Sequence, residues 1–347
     1  MPRPVGVLVV LFGLLAAPAG AADILFTQTN AAAGNAVQVV GANAAGKMRV
    51  LGSFPTGGTG LGAEIESDGT LAWARKRLLV LDAGSNTISA FRAGHRTLVR
   101  TAHLDSGGER PVSLATAANG RVVVANGATL ARFQVTRKGR LVRRGTRKLA
   151  QADPYAVALS PNGRLAAVTY AAAPEDRAVE TFALGKHIRS GGVTGIEGDH
   201  ASPVAFTGKR TLLVGRMSDV GAGIGHYRLG SDGALSPLGF TNSNNGVCWL
   251  EFRRSDQRGW ATFPSGIRSF AVTDGIEVEN DETHLLPGES NDLAESGDRV
   301  YVLNARAGAT RIVAVDATTL VPLGESPELA PETTGVVDLP NNIGGFS

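Results

Sequence analysis

Polar side chains that can carry out acid–base chemistry recur along this chain just before apolar, strand-like runs. Successive copies of the pattern are separated by roughly 41 to 52 residues, an interval typical of repeat proteins. Loops at equivalent positions of such repeats meet at one end of the fold, where converging polar groups would form a small-molecule site. The polar residues at these positions are Glu64, Glu109, Arg110, Asp153, His200, Asn244, Asn245, Glu289, Asn291 and Asp292.

Three of these residues form the predicted catalytic group. His200 could act as a general acid or base, because an imidazole titrates near neutral pH. Arg110 presents a planar fork that binds a carboxylate or a phosphate, and its charge would stabilise a developing oxyanion. Glu109, or alternatively Asp153, would orient the imidazole.

Four further residues are predicted to contact the ligand, namely Asp153, Asn245, Asn291 and Asp292. A competing interpretation treats several candidates as turn residues. Arg110 precedes Pro111 and Asp153 precedes Pro154, and residues before proline are restricted to extended or turn conformations. Both interpretations stay open on the sequence alone.

The stretch from Leu78 to Phe91 shows the element that must position these loops. The apolar run Leu78–Leu81 is followed by turn residues and then by the strand-like run Thr87–Phe91. This pattern predicts a β-hairpin. Similar hairpins begin near residues 24, 121, 165, 211, 259 and 299, which gives seven copies in all.

Each copy carries two further strand signals. An apolar run ending in a turn precedes the hairpin, and a short polar hairpin such as Gly139–Val142 follows it. Four strands per copy predict an all-β fold, a seven-bladed β-propeller with four-stranded blades. The alternatives are a β-sandwich, which rarely needs this many similar units, and a solenoid, which usually has a shorter repeat.

The order of the strands predicts how the ring closes. The mature chain begins at what looks like the second strand of a repeat, and it ends near Gly335–Leu339 with what looks like a first strand. We therefore expect the N- and C-terminal strands to share one blade.

These blade motifs resemble those of one family, the lactonase-type seven-bladed propellers. The resemblance rests on Gly84–Phe91, Ser106–Ser113 and Ser160–Arg164, and it extends over essentially the whole mature chain. That family includes propeller-type bacterial 6-phosphogluconolactonase and fungal carboxymuconate cyclase. The resemblance implies a site at the channel mouth where enzymatic members open or close a lactone ring with His, Arg and acidic side chains.

The N-terminus has the pattern of a secretory signal peptide. Arg3 is followed by the short apolar run Val5–Ala17 and by the small residues Ala19–Ala21, and this order is typical of exported proteins. We predict that residues 1–21 are removed and that 22–347 form a single propeller domain. The mature protein is expected to be secreted or periplasmic, and not to associate with a membrane.

The composition limits the partners. A formal charge of +3 over 347 residues does not predict nucleic-acid binding. The basic run between Arg137 and Lys148 falls on an outermost strand, where such charges deter edge-to-edge pairing, although a polyanion site is an alternative. Cys248 is the only cysteine, so no internal disulfide is expected and a buried thiol is favoured. No cofactor and no metal are predicted, and a monomer is expected.

Two function classes follow from these observations. The first is an exported lactonase-like enzyme that hydrolyses or forms a small lactone at the channel mouth. The second is a non-catalytic propeller that binds a ligand or a protein. In both cases the expected small-molecule partner is anionic or derived from a sugar.

Overall fold

Short apolar runs separated by turn residues form antiparallel strands along the chain. The computed structural model describes residues 21–63, 65, 67, 69–94, 97–170, 178–196, 200–217, 222–242, 246–273 and 276–340. The first strands are β1 Ala21–Gln28, β2 Ala36–Asn43, β3 Met48–Pro55, β4 Leu71–Ala74, β5 Arg77–Asp82, β6 Thr87–Gly94, β7 Thr97–Asp105, β8 Pro111–Thr116, β9 Arg121–Asn126, β10 Thr129–Val135, β11 Leu141–Lys148, β12 Pro154–Leu159, β13 Leu165–Tyr170 and β14 Ala178–Leu184. The others are β15 Ile188–Gly195, β16 His200–Phe206, β17 Thr211–Met217, β18 Gly223–Leu229, β19 Leu235–Asn242, β20 Trp249–Arg253, β21 Arg258–Phe263, β22 Gly266–Thr273, β23 Ile276–Leu285, β24 Glu289–Ser296, β25 Arg299–Arg306, β26 Ala309–Asp316, β27 Pro322–Glu325 and β28 Thr334–Asp338.

The described strands form seven antiparallel sheets of four strands each. Six sheets use four consecutive strands, from β4–β7 through to β24–β27. This arrangement confirms the predicted seven-bladed β-propeller. The seven predicted hairpins are the second and third strands of the blades, from β1 and β2 to β25 and β26.

The seventh sheet closes the ring as predicted. Its strand order is β28-β1-β2-β3, so the last strand supplies the innermost position of the blade that the first strand begins. Leu25 pairs with Asp338, and Phe26 pairs with Val337. The pairing of β28 with β1 covers the edge that β1 would otherwise expose.

The core lies between neighbouring blades, because each sheet buries both faces. Leu79 and Leu81 of β5 pack in one cluster with Val122 and Val124 of β9 in the next blade. Full burial of an aliphatic side chain of this size contributes about 1.5–3 kcal/mol. The apolar side chains of the middle strands, packed against those of the next blade, therefore stabilise the ring.

The hairpin turn between β5 and β6 is built by polar groups that serve the fold. Asp82 is fully buried and accepts hydrogen bonds from Asn35 Nδ2 at 2.9 Å and from Ser89 Oγ at 2.9 Å. Asn86 adopts a φ of 60°, a left-handed conformation that asparagine tolerates. Its Oδ1 accepts the backbone N–H of Arg110 at 2.7 Å. The turn thus positions a loop of the following blade.

The innermost strands of the blades, β4, β8, β12, β16, β20, β24 and β28, run side by side around the central channel. We call the end at which the loops enter these strands the mouth face, and the opposite end the base face. Among the described residues, no helix is long and apolar enough to cross a membrane.

Candidate functional site

A pocket of about 240 Å³ opens on the mouth face, at the beginning of three innermost strands. We call it the mouth pocket. Its lining residues are Tyr155, Met217, Cys248, Trp249, Pro264, Glu289, Ser290 and Asn291. The volume lies just below the usual range of about 300–1,000 Å³ for ligand pockets, so a molecule with one small ring is the size that fits.

Two aromatic side chains of the mouth pocket are fixed by hydrogen bonds that span several blades. The indole N–H of Trp249 donates to the carbonyl oxygen of Ser67 at 3.3 Å. The Ser67 hydroxyl donates to the carbonyl oxygen of Val112 at 2.6 Å, and the Tyr155 hydroxyl donates to that of Cys248 at 3.0 Å. These bonds hold the rings in place, so the pocket has rigid apolar walls.

Ser290 gives this pocket an unusual polar group. Its side chain is only 1 % exposed, and its hydroxyl has no hydrogen-bond partner among the described residues. The amide nitrogen of Asn304, the residue paired with Ser290 across β24 and β25, is also buried without a partner there. Buried polar groups nearly always have partners, so a bound ligand with an oxygen or N–H group would complete this arrangement.

Glu289 and Asn291 flank Ser290 and bring a carboxylate and an amide to the same pocket. Glu289 is exposed, and Asn291 is partly exposed. Although the three residues are consecutive, all of them line the pocket, and the pairing register between β24 and β25 shifts between Ser290 and Asp292. The structure thus places the predicted Asn291 and Glu289 together at a concave site.

Arg110 and Asp153 also meet, at the mouth ends of neighbouring blades. Arg110 Nη1 lies 3.0 Å from Asp153 Oδ1, and the two side chains are 55 % and 62 % exposed. An exposed ion pair contributes about 0–1 kcal/mol, so a ligand anion can replace Asp153 as the partner of Arg110 at little cost. Asp153 directly precedes β12, and Tyr155 of that strand lines the mouth pocket.

Backbone geometry supports the turn interpretation for the same two residues. Arg110 has a φ of 49° and Asp153 a φ of 53°, and each directly precedes the proline that begins an innermost strand. The neighbouring Glu109 is exposed, and its carbonyl oxygen accepts the N–H of Gly127 at 2.8 Å. A turn role and a ligand-binding role are compatible here, because the side chains of all three residues reach solvent.

Asp292 differs from the other candidates because it faces the channel. It lines a cavity of about 260 Å³ together with Glu251 and many apolar residues. Its Oδ1 accepts the N–H of Leu293 at 2.8 Å, and its Oδ2 accepts the N–H of Val336 at 3.0 Å. Burial raises the pKa of Asp292 to about 7, with a smaller contribution from the charge of Glu251, although the two N–H donors act in the opposite direction.

Several predicted positions fall outside the described part of the chain. Strand β16 begins at His200, but the side chain of this residue is not among those described. Asn245, Asn244 and Glu64 also lie outside the described residues. The role predicted for each of them stays a prediction.

Tyr155, Trp249 and Ser290 were not predicted as site residues from the sequence. Tyr155 and Trp249 fall in apolar, strand-like runs, and Ser290 lies between the candidates Glu289 and Asn291. An aromatic residue within two positions of a candidate loop, as in Asp153–Tyr155, was the available signal. Among the described residues, no group of three or more His, Cys, Asp or Glu side chains is placed to hold a metal ion.

Comparison with known proteins gives matches at the level of structure. No protein-family model and no curated protein matches the sequence. A protein from Lactobacillus plantarum superposes with a TM-score of 0.71 at 17 % identity, over 91 % of this chain and 99 % of that one. The periplasmic gluconolactonase PpgL of Pseudomonas aeruginosa gives a TM-score of 0.70 at 15 % identity, over 91 % and 99 % of the two chains.

A third similar structure is a Bacteroides fragilis protein whose assignment as a 6-phosphogluconolactonase is provisional. It gives a TM-score of 0.65 at 14 % identity, over 91 % of this chain and 98 % of that one. Superpositions of this quality at such low sequence identity establish a shared fold, and a shared fold does not by itself determine an activity.

Proposed function

We propose that this chain, whose fold is that of the lactonase-type seven-bladed propellers, hydrolyses a small sugar-derived lactone in the mouth pocket. The observation that carries the proposal is Ser290, which lines the pocket between Glu289 and Asn291 and whose buried hydroxyl has no hydrogen-bond partner among the described residues. A lactone carries the carbonyl and hydroxyl oxygens that would satisfy such donors. The gluconolactonase with the same fold supports this substrate class.

Glu289 is the general base in this proposal. Its carboxylate takes a proton from a water molecule, and the resulting hydroxide adds to the lactone carbonyl carbon. The Asn291 amide and the Ser290 hydroxyl donate hydrogen bonds to the oxyanion that forms. The ring C–O bond then breaks, the leaving alkoxide recovers the proton from Glu289, and an open-chain hydroxy acid is released.

The aromatic walls provide the binding surface. Tyr155 and Trp249 offer ring faces against which a sugar-derived ring can lie, and their hydrogen bonds keep these faces in position before the ligand arrives. Preorganisation of this kind lowers the entropic cost of binding.

Arg110 selects for charge in this proposal. It would exchange Asp153 for a carboxylate or phosphate on the substrate, which its planar fork can hold through two parallel hydrogen bonds. Glu109 and His200 keep their predicted catalytic roles as part of the proposal. His200 would relay the proton from Glu289 to the leaving alkoxide.

The same proposal assigns the mature protein to the periplasm or the exterior. It is supported by the basic residue, apolar run and small residues at the N-terminus. A lactonase there would act on lactones that form outside the cytoplasm.

The test is a panel of five- and six-membered sugar lactones, neutral and phosphorylated, assayed by acid release in a pH-stat. We expect Glu289→Gln to lower kcat/KM by about 10²–10⁴-fold, the usual contribution of a general base. Glu328→Gln, an exposed position that pairs with Arg311 at 3.5 Å elsewhere in the same blade, serves as the matched control and should change kcat/KM less than about twofold.

Arg110→Ala adds a second readout. It should raise KM for phosphorylated lactones and leave KM for neutral ones unchanged, because only the former offer an anion. Full activity of Glu289→Gln would show that Glu289 is not the general base. A folded wild-type protein that hydrolyses no member of the panel but binds one with its affinity reduced in Arg110→Ala would favour the non-catalytic binding protein instead.

A further inference from the structure

A second concave feature lies on the base face, opposite the mouth pocket. It is a groove of about 650 Å³ at the turns of three neighbouring blades, and we call it the base groove. Its charged lining residues are Arg121, Arg164, Lys209 and Arg210. No acidic residue is among the residues that line it.

The fold brings these four charges together from separate turns. Arg121 begins β9, Arg164 directly precedes β13, and Lys209 with Arg210 directly precede β17. All three are turns at which an innermost strand ends and the chain reverses, so the topology places them on the base face. The repeat interval thus sets the four cations side by side.

None of the four cations has an ion-pair partner among the described residues. The structure forms such pairs elsewhere, for example between Arg253 and Glu295 at 2.7 Å. Burial and the charge of Arg164 lower the pKa of Arg121. Like charges without a counter-charge repel one another, and a bound anion would remove this cost.

The two guanidinium groups that frame the groove are anchored by one nitrogen each. Arg121 Nη1 donates to the carbonyl oxygens of Gly163 and Leu184. Arg210 Nη1 donates to those of Leu229 and Gly230, at 3.0 Å and 2.5 Å. The Nε and Nη2 atoms of both forks have no hydrogen-bond partner among the described residues. The forks are therefore held in place while donors remain for a ligand.

A fifth cation lies behind the groove. Arg132 is buried, and it donates to the carbonyl oxygens of Gly185 and Lys186, of which Gly185 lines the groove. Burial lowers the pKa of Arg132, and the charges of Arg121 and Arg144 add to this effect. The positive potential at the groove thus comes from its floor as well as its rim.

We propose that the base groove binds a small molecule that carries two or more phosphate or sulfate groups. Its volume lies within the usual range of about 300–1,000 Å³ for ligand sites, and arginine forks match the tetrahedral oxyanions of both groups. One anionic group would lie between Arg121 and Arg164, and another would reach Lys209 and Arg210 at the next blade.

This site is independent of the proposed lactone hydrolysis. Its residues lie at the base ends of the strands, whereas Glu289 and Asn291 lie at the mouth end of β24. Loss of either function would therefore leave the other measurable.

The experiment is isothermal titration calorimetry of the full mature chain with three probes: inositol hexakisphosphate, inositol hexasulfate and inorganic phosphate. The titrations are made at constant ionic strength, because charge–charge binding depends on salt. We expect one molecule of a polyanionic probe to bind per chain, and inorganic phosphate to bind at least about tenfold more weakly because it reaches fewer of the cations. A comparison of the two inositol probes, made relative to their net charges, shows whether the groove prefers phosphate or sulfate groups.

The matched variants are Arg164→Gln/Lys209→Gln in the groove and Lys76→Gln/Arg92→Gln in the blade formed by β4–β7. All four side chains are exposed and make no hydrogen bond within the described residues, so folding should be unaffected. The first pair should weaken binding by about tenfold or more, and the second by less than about twofold. Absence of saturable binding, or an equal loss in the two double variants, would overturn the proposal, since non-specific attraction depends on net charge alone.

Discussion

The carboxyl group of Asp292 lies in the wall of the channel, and its replacement by asparagine separates the effect of its charge from that of its shape. The side chain is 5 % exposed. Its two oxygens accept N–H groups from Leu293 in β24 and from Val336 in β28. Burial raises the pKa of this group to about 7 from an ordinary value of 3.8.

The direction of the pH effect follows from this rise. In the unfolded chain Asp292 ionises near pH 4, whereas in the folded protein it holds its proton until the pH approaches 7. The folded state binds more protons between these values, so the free energy of unfolding falls as the pH rises and levels off above the folded pKa. A rise of about three pKa units corresponds to about 4 kcal/mol at full ionisation, of which about 3 kcal/mol is lost between about pH 4.5 and 7.5.

Urea unfolding followed by tryptophan fluorescence, at a series of pH values, measures this effect. At about pH 4.5, wild type should be more stable than Asp292→Asn by about 1–3 kcal/mol, because an amide can accept only one of the two N–H groups. At about pH 7.5 the difference in the free energy of unfolding should become smaller or change sign, since only wild type carries the buried charge. Asp338, whose pKa is raised to about 6 mainly by burial, is present in both proteins and cancels in the difference.

Asp298→Asn is the control, because Asp298 is exposed in the turn before β25. The stability difference between this variant and wild type gives the effect of replacing an exposed carboxylate, with which the effect of Asp292→Asn is compared at each pH. A difference between wild type and Asp292→Asn that stays constant from about pH 4.5 to 7.5 would refute the reasoning, since it would mean that Asp292 does not titrate in that window.

Two further predictions concern the fold. Truncation after Glu332 removes β28 and should abolish cooperative thermal unfolding in calorimetry, because β1 then has an unpaired edge. Truncation after Pro340 keeps β28 and should preserve cooperative unfolding. A cooperative transition in the shorter chain would show that ring closure is dispensable. Asp82→Ala should lower the free energy of unfolding in urea by about 2–4 kcal/mol, because the buried Asn35 amide loses the nearest of its acceptors and the buried Ser89 hydroxyl loses an acceptor as well. Asp105→Ala, at an exposed ion pair, should cost less than about 1 kcal/mol, and equal costs would contradict the proposed importance of the buried bonds.

The blade architecture was predictable because each blade needs the same local chemistry. Every hairpin requires two apolar runs that are buried on both faces, with a turn between them, as in Leu78–Phe91. The repeat is therefore visible even where identity between copies is low. The closure of the ring was predictable for the same reason, since a repeat that starts at its second strand must find its first strand elsewhere.

The candidate site was only partly predictable. The alignment of the repeats places each loop on the mouth face, but it does not determine where each side chain points. The alignment predicted that the loops carrying Arg110 and Asp153 lie at the same end of two neighbouring blades, where the two side chains meet. Asn291 and Asp292, however, diverge: the pairing register shifts between Ser290 and Asp292, and a bulge of this kind redirects the following side chains. Asp292 consequently faces the channel, and Asn291 lines the mouth pocket.

The mouth pocket and the channel are best understood as separate compartments. The hydrogen bonds from Trp249 to Ser67 and from Ser67 to Val112 cross the mouth between them. Both oxygens of Asp292 are engaged by backbone N–H groups, and one of these belongs to the strand that closes the ring. A proton on Asp292 therefore acts first on the contact between β24 and β28, so the channel carboxyl links the solution pH to the stability of ring closure. The proposed reaction assigns its acid–base chemistry to Glu289 in the mouth pocket instead.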